Sequence, residues 1–143
     1  NKNCECKYIK YLITIIAVAL TTFIYDFIVH GILLEKAYLL RNKEEMGDNF
    51  LFYIFYHLLF SALIVSLFKC FVISNQNKNS KHSLKFNCFK FGLLIGSFLG
   101  FVQGSFYIYM SITTYLTFAW FFGAVIQGFF IGGIIYFLNR KNK

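Results

Sequence analysis

The sequence contains no proline, and only 14% of its 143 residues are charged. Soluble globular domains carry about 25% charged residues and about 5% proline. The shortage of charge argues against an ordinary water-soluble domain, and the absence of proline removes the commonest cause of a sharp helix kink. What the chain does have is 58% hydrophobic and 22% aromatic residues. This composition indicates a protein whose main solvent is lipid.

The formal net charge of +8 does not indicate a nucleic-acid partner. The cations lie at the ends of apolar runs, where they meet lipid headgroups, and there is no basic helix face or aromatic RNA-binding signature. The G-x-S-x-G motif, phosphate-binding glycine loops and cofactor fingerprints are also missing from the sequence. We therefore expect no nucleic acid among the partners, no strongly indicated cofactor and, on balance, no enzyme.

Four apolar runs divide the chain, and each matches the roughly 20 residues that a helix needs to cross a bilayer. An open sheet cannot span lipid because its edge groups would be unsatisfied, and the strands are too few for a barrel. The first run is too long for the core of a signal peptide, so we interpret it as a retained helix. We predict an all-α integral membrane protein with a single four-helix domain over residues 1–143. The predicted spans are residues 11–34, 50–73, 91–110 and 115–138, and residues 35–46 are predicted to form a short interfacial helix.

The positive charges concentrate in the N-terminal tail, in the connection between the second and third runs, and at the C-terminus. The opposite side has residues 35–49, in which acidic side chains offset the basic ones, and an uncharged turn. Because loops rich in lysine and arginine stay in the cytoplasm, both termini are predicted to be cytoplasmic. We expect a multi-pass protein of a bacterial inner membrane. The basic residues of the three segments predicted to be cytoplasmic are Lys2, Lys7, Lys10, Lys78, Lys81, Lys85, Lys90, Arg140, Lys141 and Lys143.

Small residues recur at every fourth position in the third and fourth runs. This spacing places them on one helix face, and in lipid such faces allow the close backbone approach that drives helix packing. One interpretation is internal packing of the third helix against the fourth, and the other is contact with another subunit. The residues are Gly92, Gly96, Gly100 and Gly104 in the third run, and Ala124, Gly128 and Gly132 in the fourth.

Polar side chains within the runs form a second candidate feature. Asp26 and His30 are four residues apart, so an α-helix would place them on one face. A charged residue in hydrocarbon costs roughly 2.5 to 3.5 kcal/mol, which makes Asp26 a functional candidate. Three interpretations stay open: a structural network, a proton or small-solute pathway, and a metal or cofactor site with Asp26, His30 and His57 as weak candidate ligands. The predicted intramembrane cluster is Asp26, His30, His57, Gln103 and Gln127.

The cysteines are Cys4, Cys6, Cys70 and Cys88, and the predicted topology puts all of them on the cytoplasmic side as free thiols. A zinc site formed by Cys4, Cys6 and Cys88 with His82 is conceivable, although the sequence lacks C-x-x-C pairs. Attachment of a lipid to Cys4 or Cys6 is a further alternative.

Several motifs together resemble a bacterial family of small, uncharacterised four-helix membrane proteins that have D-x-x-x-H-G-x-x-L at the end of the first helix. The motifs are D-F-I-V-H-G-I-L-L at 26–34, Tyr38, Arg41, E-E-M at 44–46, F-G-L-L-I-G at 91–96, and A-W-F-F-G at 119–123 followed by Gln127. The resemblance covers residues 13–140, but residues 39–41 read L-L-R where a tryptophan beside the arginine is expected. It implies the four-helix architecture and points to Asp26, His30 and Gly31, but it implies no activity.

From these observations we predict a non-catalytic accessory or assembly subunit of a membrane protein complex. Its partners would be the lipid bilayer and other membrane subunits or a second copy of the chain, contacted through the small-residue helix faces. The alternative is a small proton-linked transporter, or a membrane metal-binding protein, that uses the Asp/His cluster in the outer leaflet.

Overall fold

A computed structural model describes residues 2–39, 50–70, 84–109 and 113–140 of the chain. These ranges contain helices and no strand. In chain order the helices are α1 (Lys2–Asp26), a π-helix (Phe27–Leu33), α2 (Glu35–Leu39), α3 (Phe50–Phe68), α4 (Leu84–Tyr109) and α5 (Thr114–Asn139).

Four of the described helical segments are long and apolar enough to cross a membrane. They are Tyr8–Leu33, Leu51–Phe68, Leu84–Ser105 and Thr114–Asn139. A helix pairs its backbone groups within itself, which is why apolar sequence destined for lipid takes this form. The predicted all-α class with four candidate spans is therefore confirmed.

The third helix begins earlier than the sequence indicates. Its apolar run starts at residue 91, whereas α4 starts at Leu84. Cys88 lies fully buried within this extra length, and the Phe89 ring packs on the Phe129 ring at a centroid distance of 4.8 Å. Contact with α5 therefore extends the helix beyond its most apolar part. The neighbouring lysines do not prevent this, because their long side chains keep the charged group in water.

Two predicted boundaries lie partly outside the described residues. The predicted interfacial helix 35–46 is represented by α2 alone, because residues 40–49 are not described. The end of the second span, residues 71–73, is likewise not described. The start of α5 is well defined: Thr113 is the N-cap, and its side-chain oxygen accepts a hydrogen bond from the backbone N–H of Leu116 at 3.3 Å.

The π-helix at the end of the first span is a feature that the sequence analysis does not predict. The backbone N–H of Leu34 donates to the carbonyl of Val29, five residues earlier, at 2.9 Å. Short π segments inside membrane or soluble helices are often found at functional sites. This one begins directly after Asp26, so the candidate carboxylate lies at the junction between α and π geometry.

The four long helices share one buried core. It is formed by Val18 of α1, by Ile64, Val65 and Phe68 of α3, by Cys88 of α4, and by Ile131 and Ile135 of α5. Helix α4 lies closely along α5, whereas α1 packs against both α3 and α5. Helix α1 therefore connects the α4–α5 pair to α3, and its inner face meets two different helices.

Candidate functional site

The site is built on the inner face of α1, where polar residues follow one another at a spacing of four. Thr22 is fully buried, and Asp26 lies one turn further along the helix. Asp26 is the only acidic residue in the four apolar runs of the sequence. A residue pair at i and i+4 lies on one face of an α-helix, so both side chains point towards the neighbouring helices α3 and α5.

Asp26 contacts two helices through its two carboxylate oxygens. The side-chain amide of Gln127 on α5 donates to Oδ1 at 2.8 Å. The imidazole Nε2 of His57 on α3 lies 3.5 Å from Oδ2. The side chain of Asp26 is 21% exposed, whereas that of His57 is 3% exposed. The carboxylate thus joins α1, α3 and α5 at a single point.

His57 is held from the other side by Thr22. Its Nδ1 atom lies 3.0 Å from Thr22 Oγ1, and the same hydroxyl lies 3.0 Å from the carbonyl oxygen of Ala19. A threonine hydroxyl carries one hydrogen but can also accept, so only one of these two neighbours receives that hydrogen at any time. The two directions of the hydroxyl fit different states of the imidazole: a bare Nδ1 accepts from Thr22, whereas an Nδ1–H, in the other neutral tautomer or in the charged ring, donates to it.

In the first state, Thr22 donates to Nδ1 of a neutral imidazole, whose hydrogen is then on Nε2 and faces Asp26. In the second state, His57 has gained a proton at Nδ1, which donates to Thr22, and the Thr22 hydroxyl turns to Ala19. Both states keep a hydrogen-bond partner for Nδ1 and a hydrogen on Nε2 beside the carboxylate. The arrangement can therefore gain and lose one proton without losing a contact between α1 and α3.

Aromatic rings surround the imidazole and exclude water from most of its surface. The Tyr53 ring is the nearest, with its centroid 4.4 Å from that of His57, and Tyr56 and Phe23 follow at 5.6 Å and 5.7 Å. All three are edge-to-face contacts, which is a favourable geometry for aromatic pairs. The polar contacts of its two ring nitrogens are with Thr22 and Asp26.

Tyr25 fixes the position of α1 against α5 next to the site. Its hydroxyl donates to the backbone carbonyl of Gly123 at 2.7 Å, and its ring lies 6.0 Å from the Phe130 ring. Because Tyr25 precedes Asp26 and Gly123 is one turn from Gln127, this bond sets the helix register in which Gln127 reaches the carboxylate.

Three of the five predicted cluster residues meet in the structure, namely Asp26, His57 and Gln127. His30 lies against the Trp120 ring of α5 at a centroid distance of 6.4 Å. The backbone between Asp26 and His30 is π-helical, so the α-helical spacing from which the pair was predicted does not describe it. Gln103 is half-buried on α4, and within the described residues it makes no hydrogen bond to the cluster.

The candidate metal ligands do not come together. Among the described residues, no group of three or more His, Cys, Asp or Glu side chains is placed to hold a metal ion. His30, the third residue of the predicted trio, lies against the Trp120 ring. The alternative zinc set fares no better: Cys88 belongs to the buried core, and His82 lies outside the described residues.

The small-residue faces of α4 and α5 lie against each other. A Cβ atom added at Gly92 would collide with the backbone carbonyl of Gly128, and one added at Gly96 would lie 2.6 Å from the carbonyl of Ala124. Gly132 approaches the carbonyl of Cys88 in the same way. Gly104 is different, because its nearest neighbour would be a methyl group of Thr117 at 3.9 Å. The close packing therefore includes Gly92, Gly96, Gly100, Ala124, Gly128 and Gly132, but does not depend on Gly104.

Sequence reasoning missed two hydroxyl groups of the site, those of Thr22 and Ser61. Both are fully buried. Their signal was weak because serine and threonine in membrane helices commonly bond to their own backbone. The spacing of four from Asp26 to Thr22, and from His57 to Ser61, is the pattern from which they could have been found.

Searches against protein-family models, curated proteins and solved structures find no match for this chain. The resemblance at Asp26, His30 and Gly31 to small four-helix bacterial membrane proteins therefore stays a prediction.

Proposed function

We propose that this protein is a small proton-linked transporter, and that the Asp26–His57 pair is its proton-binding site. The observation that carries the proposal is the contact between the only acidic residue of the apolar runs and a buried histidine, 3.5 Å apart. Ionisable residues inside membrane helices are costly, and carboxylate and histidine groups serve as proton relays in pumps and transporters.

The position of the pair supports coupling between the proton and helix movement. Asp26 touches α5 through Gln127 and α3 through His57, so a change in its charge alters two helix contacts at once. The Thr22 hydroxyl can keep α1 and α3 connected in both protonation states of His57. With both termini in the cytoplasm of a bacterium, as the lysine distribution predicts, the pair would lie in the outer half of the inner membrane.

Reconstituted vesicles provide the test. Purified protein is placed in liposomes that contain a pH-sensitive dye, and an imposed membrane potential drives proton entry. We expect wild-type protein to admit protons faster than empty liposomes, and both Asp26→Asn and His57→Gln to abolish the difference. The matched control is Glu35→Gln, which removes an exposed carboxylate outside the site and should leave the rate unchanged. A wild-type rate equal to that of empty liposomes, or an unchanged rate in Asp26→Asn, would overturn the proposal.

The accessory or assembly subunit stays as a second proposal. It was motivated by the small-residue faces, and these are now occupied by contacts between α4 and α5. A partner subunit would instead have to bind the outer apolar surface, for example around Leu51 and Phe52 at the start of α3, which are 81% and 70% exposed. Purification from native membranes in gentle detergent tests the subunit proposal. A stoichiometric partner supports it, and a protein that purifies alone argues against it.

A further inference from the structure

Two buried polar atoms on one face of α3 have no hydrogen-bond partner among the described residues. They are Nε2 of His57 and the hydroxyl oxygen of Ser61. His57 is 2% exposed and Ser61 is fully buried. Because the two residues are four apart on an α-helix, they lie on the same face, with a rise of about 6 Å between them.

Unpartnered polar atoms at such depth carry a free-energy cost of about 1–3 kcal/mol each. Lipid chains cannot supply a hydrogen bond, so a partner has to come from within the helix bundle. Buried water molecules typically make two to four hydrogen bonds to polar groups that would otherwise be unsatisfied. The carboxylate oxygen of Asp26, 3.5 Å from Nε2, supplies a third polar atom at the same place.

We propose that a water molecule binds inside the helix bundle between His57, Ser61 and Asp26, and that it forms part of the proton site. Four residues of an α-helix rise about 6 Å, so the side chains of His57 and Ser61 leave the helix near enough for one oxygen to reach both with hydrogen bonds of about 2.8–3.0 Å. Because Nε2 and Oδ2 are only 3.5 Å apart, the water would sit beside this pair and contact both atoms, not between them.

The usual alternative for a serine in a membrane helix is a hydrogen bond to its own backbone. Other hydroxyls of this chain use it: Ser66 donates to the carbonyl of Ala62 at 2.7 Å, and Thr14 donates to that of Lys10 at 2.8 Å. Thr21 does the same with Ala17 at 2.7 Å. Ser61 departs from this pattern, because its hydroxyl makes no such bond. Its oxygen is therefore available to a ligand between the helices.

The water would extend the proton site towards the N-terminal end of α1. A second polar contact lies further in that direction, where the Tyr11 and Ser66 hydroxyls are 2.6 Å apart and the Lys69 ammonium lies 3.7 Å from the centre of the Tyr11 ring. Between the two polar regions stand Val18, Ile64 and Val65, all fully or almost fully buried. This apolar layer closes the polar route, so the water marks the inner limit of the site in the conformation described.

Solid-state NMR of the protein in lipid bilayers tests the water site directly. Histidine is labelled with ¹⁵N, and His30→Gln and His82→Gln leave His57 as the only labelled ring. Magnetisation transfer from water to the ring nitrogens then reports whether water contacts Nε2. We expect rapid transfer in this background, slower transfer in Ser61→Ala, and loss of transfer in Ser61→Val, whose methyl groups fill the space.

The matched control is Ser66→Val, which changes a serine of the same helix that already bonds to its own backbone. Its transfer should equal that of the background. Absence of transfer in the background, or equal transfer in Ser61→Val and the background, would overturn the proposal. If Ser61→Val does not fold, the comparison of transfer rates between Ser61→Ala and the background still tests the proposal.

The role of the water in proton movement rests on the proposed transport function, but its presence does not. Hydration at His57 without proton flux in vesicles would retain the water site and reject the transporter. Proton flux without hydration at His57 would retain the transporter and reject the water site.

Discussion

The α4–α5 contact and the α1–α3 contact are built in opposite ways. Between α4 and α5 the backbones themselves meet, because glycines leave no side chain in between. Between α1 and α3 the contact is carried by polar side chains, such as Thr22 with His57 and Tyr11 with Ser66. A backbone contact has one geometry, whereas a hydroxyl can reverse its hydrogen bond without moving the helices. The comparison distinguishes a fixed helix pair from a pair whose contacts can change with protonation.

Helix α5 packs against α4 on one side and contributes to the polar site on the other, as two consecutive residues show. Gln127 faces α1 and bonds to Asp26, while Gly128 faces α4 and lies against Gly92 and Gly96. Close packing of α5 against α4 therefore fixes the position along the helix axis at which the Gln127 amide reaches Asp26. The glycines contribute to the site by positioning a residue they do not touch.

The largest effect is expected from closing the space between α4 and α5. In Gly96→Ala the new Cβ would lie 2.6 Å from the carbonyl of Ala124, and backbone atoms cannot move aside. We expect a loss of about 1–3 kcal/mol in the free energy of unfolding, the range typical of overpacked cores. Unfolding in mixed micelles with a denaturing detergent measures this loss of stability.

The matched control for this change is Gly104→Ala on the same helix, where the nearest atom would be 3.9 Å away. It should alter the free energy of unfolding by less than about 0.5 kcal/mol. Equal effects at Gly96 and Gly104 would show that the backbone contact is not what distinguishes this helix pair.

A smaller effect is expected from the polar contact between α1 and α3. A double-mutant cycle with Thr22→Val and His57→Gln should give a coupling free energy of about 0.6 kcal/mol, the mean for side-chain hydrogen bonds between membrane helices. The control cycle uses Thr21→Val, because the Thr21 hydroxyl bonds to Ala17 of its own helix. Coupling with Thr21 as large as with Thr22 would contradict a specific contact at Nδ1 of His57.

The smallest effect is expected where α1 meets the end of α3. Tyr11→Phe removes the 2.6 Å hydroxyl contact with Ser66 but keeps a ring beneath Lys69. Because this pair is only partly buried, we expect a loss of about 0.5 kcal/mol, the lower end for a hydrogen bond. Tyr11→Leu should cost more, since it also removes the cation–π contact. If the two variants unfold alike, the ring and Lys69 do not interact in the membrane.

Much of the fold could be predicted because long apolar runs have few possible structures in lipid. The meeting of Asp26, His57 and Gln127 could also be predicted, because a buried carboxylate needs polar partners and few are present. The depth of each residue in its run grouped these three, but it also grouped His30 and Gln103 with them.

Other features depended on geometry that the sequence does not display. The π-helix after Asp26 is one of them, because no residue pattern indicated it, and the contact of His30 with the Trp120 ring is another. The early start of α4 follows from packing of Cys88 and Phe89 on α5, a tertiary effect. Thr22 and Ser61 were overlooked because a hydroxyl in an apolar run usually bonds only to its own helix, and only the structure shows that Thr22 also contacts His57 and that Ser61 makes no such bond.

The π-helix from Phe27 to Leu33 has a mechanical consequence for the first span. Each amide in such a segment pairs with a carbonyl five residues back instead of four, so a change between π and α geometry exchanges hydrogen bonds and does not remove them. The two geometries differ in twist, and a conversion would therefore rotate the Leu33 end of the helix relative to Asp26. The consequence is that the twist of this segment could change while its backbone amides stay hydrogen-bonded.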